Sequence, residues 1–171
     1  MITTADPALA RTLRLLRNQG MEQRYQNEIV GANMRMTDVA AAIGREQLKR
    51  LPGWTEQRRA NAKFLDSRIT TLRTPPVADG ARHVYHQYTV RVPHGRDAVR
   101  EQLAAKGVGS EVYYPTPIHR LRPFLKTGPA WDLPETERAA AEVLSLPVHP
   151  SLTENELERI ADAVNTLENL R

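Results

Sequence analysis

GANMRMTD, residues 31–38, is the stretch of this 171-residue chain that decides its fold, together with AAIG at 41–44 and QL at 47–48. It predicts a loop that delivers the amide of Asn33 and the guanidinium of Arg35 just ahead of a helix start. Amide donors, arginine and a helix N-terminus all suit anionic oxygens, phosphate above all. The same two side chains would also serve to cap and solvate the helix, and chemistry alone favours that simpler interpretation.

The first 35 residues predict the end of a strand, one helix and then a loop. Residues 1–4 fit the end of a strand. Asp6 is a preferred N-cap type and Pro7 suits the first helical position, so we expect a helix to begin there. Leucines then recur at helical spacing until Gly20 ends the helix. Residues 21–35 are polar and show little periodicity, which predicts a loop.

Two helical segments follow the loop. Thr37 can cap the first of them, whose apolar face runs to Leu51. Pro52 lacks a backbone N–H and is therefore expected to interrupt the helix. A second helix is predicted from Gly53 to about Leu72. The composition changes at Thr74-Pro75-Pro76, which indicates a hinge-like stretch.

The remaining residues predict an α/β domain, because strands and helices alternate along them. In the first strand, strict alternation places one set of side chains on a single face, namely Val84, His86, Tyr88, Val90 and Val92. A capping box at Thr153 and Glu156 starts the last helix. The predicted strands are 83–92, 110–114 and 145–148, and the predicted helices are 97–106, 135–144 and the final helix from 153.

Composition indicates a soluble globular protein and excludes several other classes. Hydrophobic residues make up 40% of the chain and charged residues 26%, as in ordinary folded domains. There is no cysteine, no apolar run long enough to span a bilayer, and no signal-peptide pattern in the first ten residues. We therefore expect a cytoplasmic protein without disulfides that does not enter a membrane.

The charge pattern does not favour a nucleic-acid partner. The net charge is +4, but 24 basic residues are interspersed with 20 acidic ones, and aromatic side chains for base stacking are few. His83 and His86 would point to opposite faces of a strand, so they do not form a metal site. We expect neither nucleic acid nor metal, and a basic nucleic-acid-binding module is the least favoured function considered.

Several motifs in order resemble one enzyme family. The pattern G-x-N-x-R-M-T-D-x-x-A-A-I-G-x-x-Q-L, followed by R-R-x-x-A at 58–62, is similar to the signature of the DegT/DnrJ/EryC1/StrS sugar aminotransferases. No single segment is decisive, but the ordered set is specific and covers nearly the whole chain. The later matching segments are HVYHQY at 83–88, Arg96-Asp97 with Gly107-Val108, YYPTPIH at 113–119 and LPVHP at 146–150.

The resemblance implies a fold, a reaction and a set of site residues. Members of this family have the fold of type I pyridoxal-phosphate transferases and act as dimers with active sites at the subunit interface. They transfer an amino group, usually from glutamate, to a keto sugar linked to a nucleoside diphosphate. Asn33 would reach the cofactor phosphate of the neighbouring subunit, with Arg35 near the same site. Tyr114 and His119 would approach the nucleotide-sugar substrate.

The resemblance also implies a division of the chain. Residues 1–51 would be a remnant of the large, cofactor-binding domain, residues 52–74 a connecting helix, and residues 75–171 the small α/β domain. The chain is thus expected to be the C-terminal part of the type I fold.

The expected cofactor lysine is missing from its family context. In the family the Schiff-base lysine precedes a glycine-rich G-E-G-G segment, which leads into a strand like residues 1–4. The acidic partner of the pyridine nitrogen and the aromatic residue stacked on the cofactor ring are also absent, and Ala32 stands where an aromatic residue is commoner. The lysines of this chain are predicted in amphipathic helices or a surface loop, at Lys49, Lys63, Lys106 and Lys126.

These departures predict that the chain by itself has no catalytic residue, binds no pyridoxal phosphate covalently and performs no transamination. Its expected partner is a second copy or a complementary N-terminal half. The alternative is a non-catalytic relic that associates with itself or with another protein through a surface that large-domain residues would otherwise cover.

Overall fold

The computed structural model describes residues 2–125 and 131–168. The chain divides into two units, Met1–Arg50 and Leu51–Arg171. The first unit ends within a long helix, and residues 52–74 belong wholly to the second unit. The three-part division expected from the family resemblance stays a prediction.

Helix α1 (Pro7–Arg17) begins where the sequence predicts. The Asp6 carboxylate accepts hydrogen bonds from the backbone N–H groups of Ala8 at 2.8 Å and Leu9 at 3.2 Å. These two bonds satisfy donors that would otherwise lack a partner at the helix start. The helix ends at Arg17, and Gly20 follows it with a φ of +77°.

Two predictions for the first unit were wrong. The polar segment after α1 is not a plain loop, because β1 (Met21–Gln23) and β2 (Gln26–Asn27) pair antiparallel with an irregular register. The pair is too short to leave a periodic pattern in the sequence. Residues 2–4 form no strand, since no strand in the described part of the chain pairs with them.

Helix α2 (Asp38–Arg68) is continuous through Pro52, so the predicted interruption was also wrong. The predicted cap is confirmed, since Thr37 Oγ1 accepts from the backbone N–H of Ala40 at 3.2 Å. An internal proline costs a helix about 3 kcal/mol. The second half of α2 is anchored by Ala62 and Leu65, both fully buried, and this burial offsets the cost. The helix ends at Arg68, before the predicted Leu72.

The second unit contains a small antiparallel sheet. Strand β3 (Tyr88–Arg91) pairs with β4 (Val143–Leu146), with Tyr88 opposite Leu146. Helices α3 to α6 confirm the predicted α/β class. They are α3 (Arg96–Ala105), α4 (Arg122–Leu125), α5 (Pro134–Glu142) and α6 (Glu154–Asn165), with a 3-10 turn at Ile118–Arg120.

The first predicted strand, 83–92, is shortened to β3 because Tyr85 has a φ of +45°, which no regular strand accommodates. The predicted alternation places Val84 on the face of Tyr88 and Tyr85 on the opposite face. Tyr88 is buried, but Val84 is 56% exposed and Tyr85 only 8%, so the pattern does not hold before Tyr88. The second predicted strand, 110–114, is reduced to one bridge between Glu111 and Ser145. The third begins two residues early, at Val143, because α5 ends sooner than its apolar pattern indicates.

The capping box of α6 is confirmed. The backbone N–H of Thr153 donates to Glu156 Oε2 at 2.8 Å, and that of Glu156 donates to Thr153 Oγ1 at 3.4 Å. The core of this unit lies between the second half of α2, the sheet, α3 and α6. Its fully buried side chains include Ala62, Leu65, Tyr88, Val90, Leu103, Leu144 and Val164.

Within the described residues, no helix has the length and apolar character needed to cross a membrane. The same residues contain no group of His, Asp and Glu side chains that could hold a metal ion.

Candidate functional site

The signature loop of residues 31–37 is fastened to the end of α1 by backbone hydrogen bonds. The N–H of Ala32 donates to the carbonyl of Leu16 at 2.8 Å, and the N–H of Met34 donates to that of Arg17 at 2.9 Å. These bonds fix the path of the loop, so the side chains between them project from a defined backbone.

Two glycines allow this close approach. A Cβ on Gly20 would lie 1.7 Å from the carbonyl oxygen of Ile29, and a Cβ on Gly31 would lie 2.3 Å from the nitrogen of Gly20. Any side chain at either position would therefore displace the backbone. Gly31, the first residue of the signature, is thus required because a larger residue would clash with the backbone of Gly20.

Asn33 and Arg35 lie together and exposed on this loop. Arg35 Nε donates to Asn33 Oδ1 at 3.0 Å. The bond occupies the amide oxygen, and the Asn33 Nδ2 group and the remaining guanidinium N–H groups stay available as donors. Thr37 supplies the capping bond of α2, so the helix start does not depend on Asn33. The pair is suited to a phosphate group, although its role as a cofactor contact stays a prediction.

In the second unit, a pocket of about 460 Å³ opens at the end of the small sheet. Four segments line it: Arg58 of α2, His86 with Gln87 ahead of β3, residues between Gly109 and Tyr114, and residues Ser145 to His149. Each of the four segments lies in or overlaps one of the motifs quoted from the sequence. The exception within them is Gly109 to Glu111, which directly follow the matching Gly107-Val108 pair. The order of the motifs along the chain does not reveal that they meet at one pocket.

Tyr114 lines this pocket and is 72% exposed, so its ring and hydroxyl are accessible to a ligand. The neighbouring Tyr113 also lines it, and the two rings meet edge to face with centroids 5.6 Å apart. An aromatic wall of this kind suits the apolar face of a sugar or a base. The substrate-binding role predicted for Tyr114 stays a prediction, and its position is compatible with that role.

His119 lies elsewhere. It is absent from the residues that line the pocket, and its side chain is only 8% exposed. His119 Nε2 donates to Glu137 Oε1 of α5 at 3.1 Å, and Arg120 Nε donates to the same oxygen at 2.9 Å. The hydrogen bond from His119, followed by that from Arg120, lowers the pKa of Glu137. The structure thus places His119 in a contact with α5, and its predicted approach to the substrate is untested.

Apart from Tyr114, no residue that lines the pocket was predicted as a site residue. Four of the missed residues are Arg58, His86, Ser110 and His149. Three of them stand inside motifs quoted above, so a signal existed. The sequence presents them only as parts of a pattern, because nothing in it shows that α2 passes beside the end of β4. Ser110 has no sequence signal.

The described lysines lie on the surface. Lys49 Nζ lies 2.6 Å from Glu46 Oε1, and Lys106 Nζ donates to Thr166 Oγ1 at 2.9 Å. Lys63 lies on the exposed side of α2, and none of the three lines the pocket. Lys126 falls outside the described residues. The expectation that the chain by itself does not bind pyridoxal phosphate covalently stays a prediction.

Comparison with known proteins identifies relatives along almost the whole chain. The model of the DegT/DnrJ/EryC1/StrS aminotransferase family matches residues 1–165. A pleiotropic regulatory protein of Geobacillus stearothermophilus is 38% identical over 96% of this chain and 45% of its own length. A UDP-N-acetyl-3-dehydro-alpha-D-glucosamine 3-aminotransferase of Acidithiobacillus ferrooxidans is 36% identical over 96% of this chain and 44% of its own.

Solved structures agree with these relatives. The crystal structure of S. venezuelae DesV, in complex with a ketimine intermediate, matches with a TM-score of 0.87 and 36% identity, covering 95% of this chain and 45% of DesV. A DegT/DnrJ/EryC1/StrS aminotransferase from Brucella abortus matches with a TM-score of 0.85 and 30% identity, covering 94% of this chain and 44% of that protein. The predicted fold class is confirmed, and the chain spans less than half the length of the relatives it matches.

Proposed function

Because this chain belongs to the DegT/DnrJ/EryC1/StrS aminotransferase family, as its match over residues 1–165 shows, we propose that it forms part of a pyridoxal-phosphate-dependent aminotransferase. The substrate class is a keto sugar linked to a nucleotide, and the amino donor is glutamate. The observation that carries the proposal is the breadth of the match: about 96% of this chain aligns with relatives of which it covers 44% or 45%.

In this proposal Asn33 and Arg35 contact the phosphate of a cofactor that another subunit or another polypeptide holds. Their hydrogen bond at 3.0 Å keeps the amide turned so that its nitrogen remains a donor. Their exposure supports a contact made with a partner. Arginine and amide N–H groups are the donors that phosphate oxygens accept most readily.

Tyr114 and His119 are proposed to contact the nucleotide sugar. For Tyr114 the support is its place on the pocket wall. For His119 the proposal requires that its hydrogen bond to Glu137 be replaced, since its Nε2 lies 3.1 Å from Glu137 Oε1. A ligand must therefore replace the Glu137 carboxylate, or the loop that carries His119 must move with its partner residue.

We propose that the chain by itself does not catalyse amino transfer. The support is the exposed position of Lys49, Lys63 and Lys106, none of which lines the pocket. The chemistry that pyridoxal phosphate supplies when bound is the withdrawal of electrons from the carbon that carries the amino group. This chain contributes binding groups to that reaction.

A second candidate function, a non-catalytic chain that binds itself or a partner, is favoured by one observation. The first half of α2 exposes large apolar side chains: Val39 is 72% exposed, Ile43 57% and Leu48 66%. Exposed apolar residues along one helix are typical of a surface that another protein covers. The two candidates differ in whether the assembled complex transfers an amino group.

A reconstitution experiment distinguishes the two candidate functions. The chain is mixed with the remaining N-terminal part of a relative that carries the cofactor lysine, and amino transfer from glutamate to a keto sugar nucleotide is measured. We expect no turnover from either polypeptide alone and measurable turnover from the mixture. Replacing Asn33 by Ala is expected to lower that turnover about tenfold or more, because one hydrogen bond to a charged phosphate is lost.

Asn155→Ala is the matched control, since Asn155 is an exposed asparagine in the first turn of α6, away from the signature loop. It is expected to leave turnover unchanged. Stable assembly without turnover would contradict the enzyme proposal and support the non-catalytic function. Turnover by the chain alone would contradict the proposed dependence on a partner.

A further inference from the structure

A second pocket, of about 600 Å³, lies beside the middle of α2 and belongs wholly to the second unit. Residues of α2 and two residues ahead of β3 line it. It shares no lining residue with the pocket at the end of the small sheet, so the two pockets are separate. The lining residues are Leu51, Pro52, Gly53, Thr55, Glu56, Arg59, Arg82 and Val84.

Arg59 brings an unpartnered cationic group to this second pocket. Its Nη1 atom is buried without a hydrogen-bond partner, and its Nε lies 3.8 Å from Glu56 Oε2, beyond hydrogen-bond distance. The guanidinium makes no hydrogen bond with any described residue, although the Arg59 side chain is 30% exposed. Leaving such a donor without an acceptor is unfavourable, so an acceptor supplied by a ligand would stabilise it.

The remaining polar groups of the second pocket are already engaged. Thr55 Oγ1 donates to the carbonyl oxygen of Leu51 at 2.9 Å. Arg82 Nη2 donates to Glu56 Oε1 at 2.6 Å. Two arginines thus stand against one glutamate, which leaves one positive charge in excess. Because Arg82 is paired with Glu56, the excess charge is carried by Arg59.

The rest of the lining is apolar and open to a ligand. Leu51 is 50% exposed and Val84 56% exposed, and Pro52 lies beside them on the pocket wall. Ligand pockets are typically apolar with a few polar groups that fix the orientation of the ligand. This pocket follows that pattern, with a single free polar group among its described lining residues.

We infer that the second pocket binds a small monocarboxylate with an apolar body. The carboxylate would accept from the Arg59 guanidinium, whose planar fork matches its geometry, and the hydrocarbon would cover Leu51 and Val84. A dianion such as a phosphate monoester is disfavoured, because its second charge would be repelled by Glu56. The site goes beyond the proposed aminotransferase function, since it contains none of the residues proposed to contact the cofactor or the nucleotide sugar.

The experiment is calorimetric titration of the full 171-residue chain with octanoate, phenylacetate and the neutral phenylacetamide. We expect saturable binding of at least one of the two acids, and the tighter one shows whether the apolar body is aliphatic or aromatic. Phenylacetamide is expected to bind about tenfold or more weakly than phenylacetate, because it lacks the charge that Arg59 would neutralise. Absence of saturable binding for both acids would overturn the inference, as would equal affinities for phenylacetate and its amide.

Arg59→Gln tests the cationic contact. It is expected to weaken binding of the acid about tenfold or more, since a charge-assisted hydrogen bond is lost. Arg100→Gln, at an exposed arginine of α3 outside the pocket, makes the same charge change and is expected to leave affinity within about twofold. Equal weakening by the two variants would overturn the inference, because binding would then follow net charge alone.

Gly53→Leu tests the location without disturbing the core. A Cβ on Gly53 would have no atom within 4 Å, so α2 accommodates the leucine, whose side chain occupies part of the pocket. We expect it to abolish binding of the acid while the urea midpoint stays unchanged or rises, because leucine favours a helix more than glycine does. Gly44→Leu is the matched control, since Gly44 also lies on α2 with no atom within 4 Å of a Cβ but outside the pocket. Unchanged binding by Gly53→Leu would place the acid elsewhere and overturn the inference.

Discussion

The two units of this chain bury apolar side chains to very different extents. In the first, Leu15 is the only large apolar side chain that is buried among the described residues, at 4% exposure. In the second, the described residues form a continuous core from α2 to α6. Burial of apolar area is the main favourable contribution to folding. The comparison therefore indicates that the second unit has an apolar core of its own, whereas the described residues of the first unit bury little apolar surface.

Helix α2 belongs to both units, so the difference in apolar burial can be compared between its two halves. Its first half presents Val39, Ile43 and Leu48 to solvent, and its second half places Ala62 and Leu65 in the core. Both halves contain Ala and Arg, which are good helix formers. The burial of their apolar side chains is the clearest difference between them.

The largest expected effect comes from a matched pair of leucines on α2. Leu65→Ala is expected to reduce the free energy of unfolding by about 2–5 kcal/mol, because it deletes a fully buried side chain and leaves a cavity. Leu48→Ala, at a leucine that is 66% exposed, is expected to change it by less than about 0.5 kcal/mol. Urea unfolding followed by circular dichroism, at low protein concentration, measures both. Equal losses would show that the exposed half of α2 is packed in solution.

A smaller effect is expected on association. Ile43 is 57% exposed on the first half of α2, and covering such a side chain contributes about 1.5 kcal/mol. If this face is the one that a second copy covers, Ile43→Ser should weaken self-association by about tenfold in analytical ultracentrifugation. Lys63→Ser, on the exposed side of the second half of the same helix, is the control and should leave it unchanged. A chain that stays monomeric at all concentrations would contradict the idea that a second copy covers the first half of α2.

The sequence predicted the elements that depend on local chemistry. Asp6 and Thr153 cap their helices as expected, because an N-cap needs only residues within one turn. The strand at 83–92 was predicted too long, because its alternation continues through residues whose backbone departs from the strand at Tyr85. The continuity of α2 through Pro52 depends on anchoring by a core assembled from distant residues, which periodicity does not reveal.

For the site, sequence indicated the donors of the signature loop but not the pocket. Asn33 and Arg35 are neighbours in sequence, so their proximity follows from the loop itself. Arg58 and His149 line the same pocket although they are far apart in the sequence. A hydrogen bond from Asn61 Nδ2 to the carbonyl oxygen of His149 joins α2 to the segment after β4. His119 was expected to face the substrate, and no local pattern indicates that Glu137, 18 residues away, would engage its ring.

The smallest expected effect concerns the hydrogen bond between the His119 ring and Glu137. Hydrogen bonds from His119 and then Arg120 lower the pKa of Glu137 below its ordinary value of 4.5. A carboxyl group whose pKa is lower in the folded than in the unfolded chain stabilises the fold above its unfolded pKa, and this contribution is lost as the pH falls through the folded value. Glu137→Gln removes the titrating group. The wild-type urea midpoint should therefore fall slightly relative to that of the variant as the pH drops below about 4.5.

Glu135→Gln is the matched control, because Glu135 lies on the same helix and contacts Arg138. Its urea midpoint should follow that of the wild type across the acid range. The effect is small because the Glu137 side chain is 41% exposed and solvent screens its interactions. Identical pH profiles for wild type and Glu137→Gln would mean that the carboxylate does not hold His119 in solution. The imidazole would then be free to meet a ligand without the exchange that its present contact requires, and the contrast between a fixed His119 and an accessible Tyr114 would disappear.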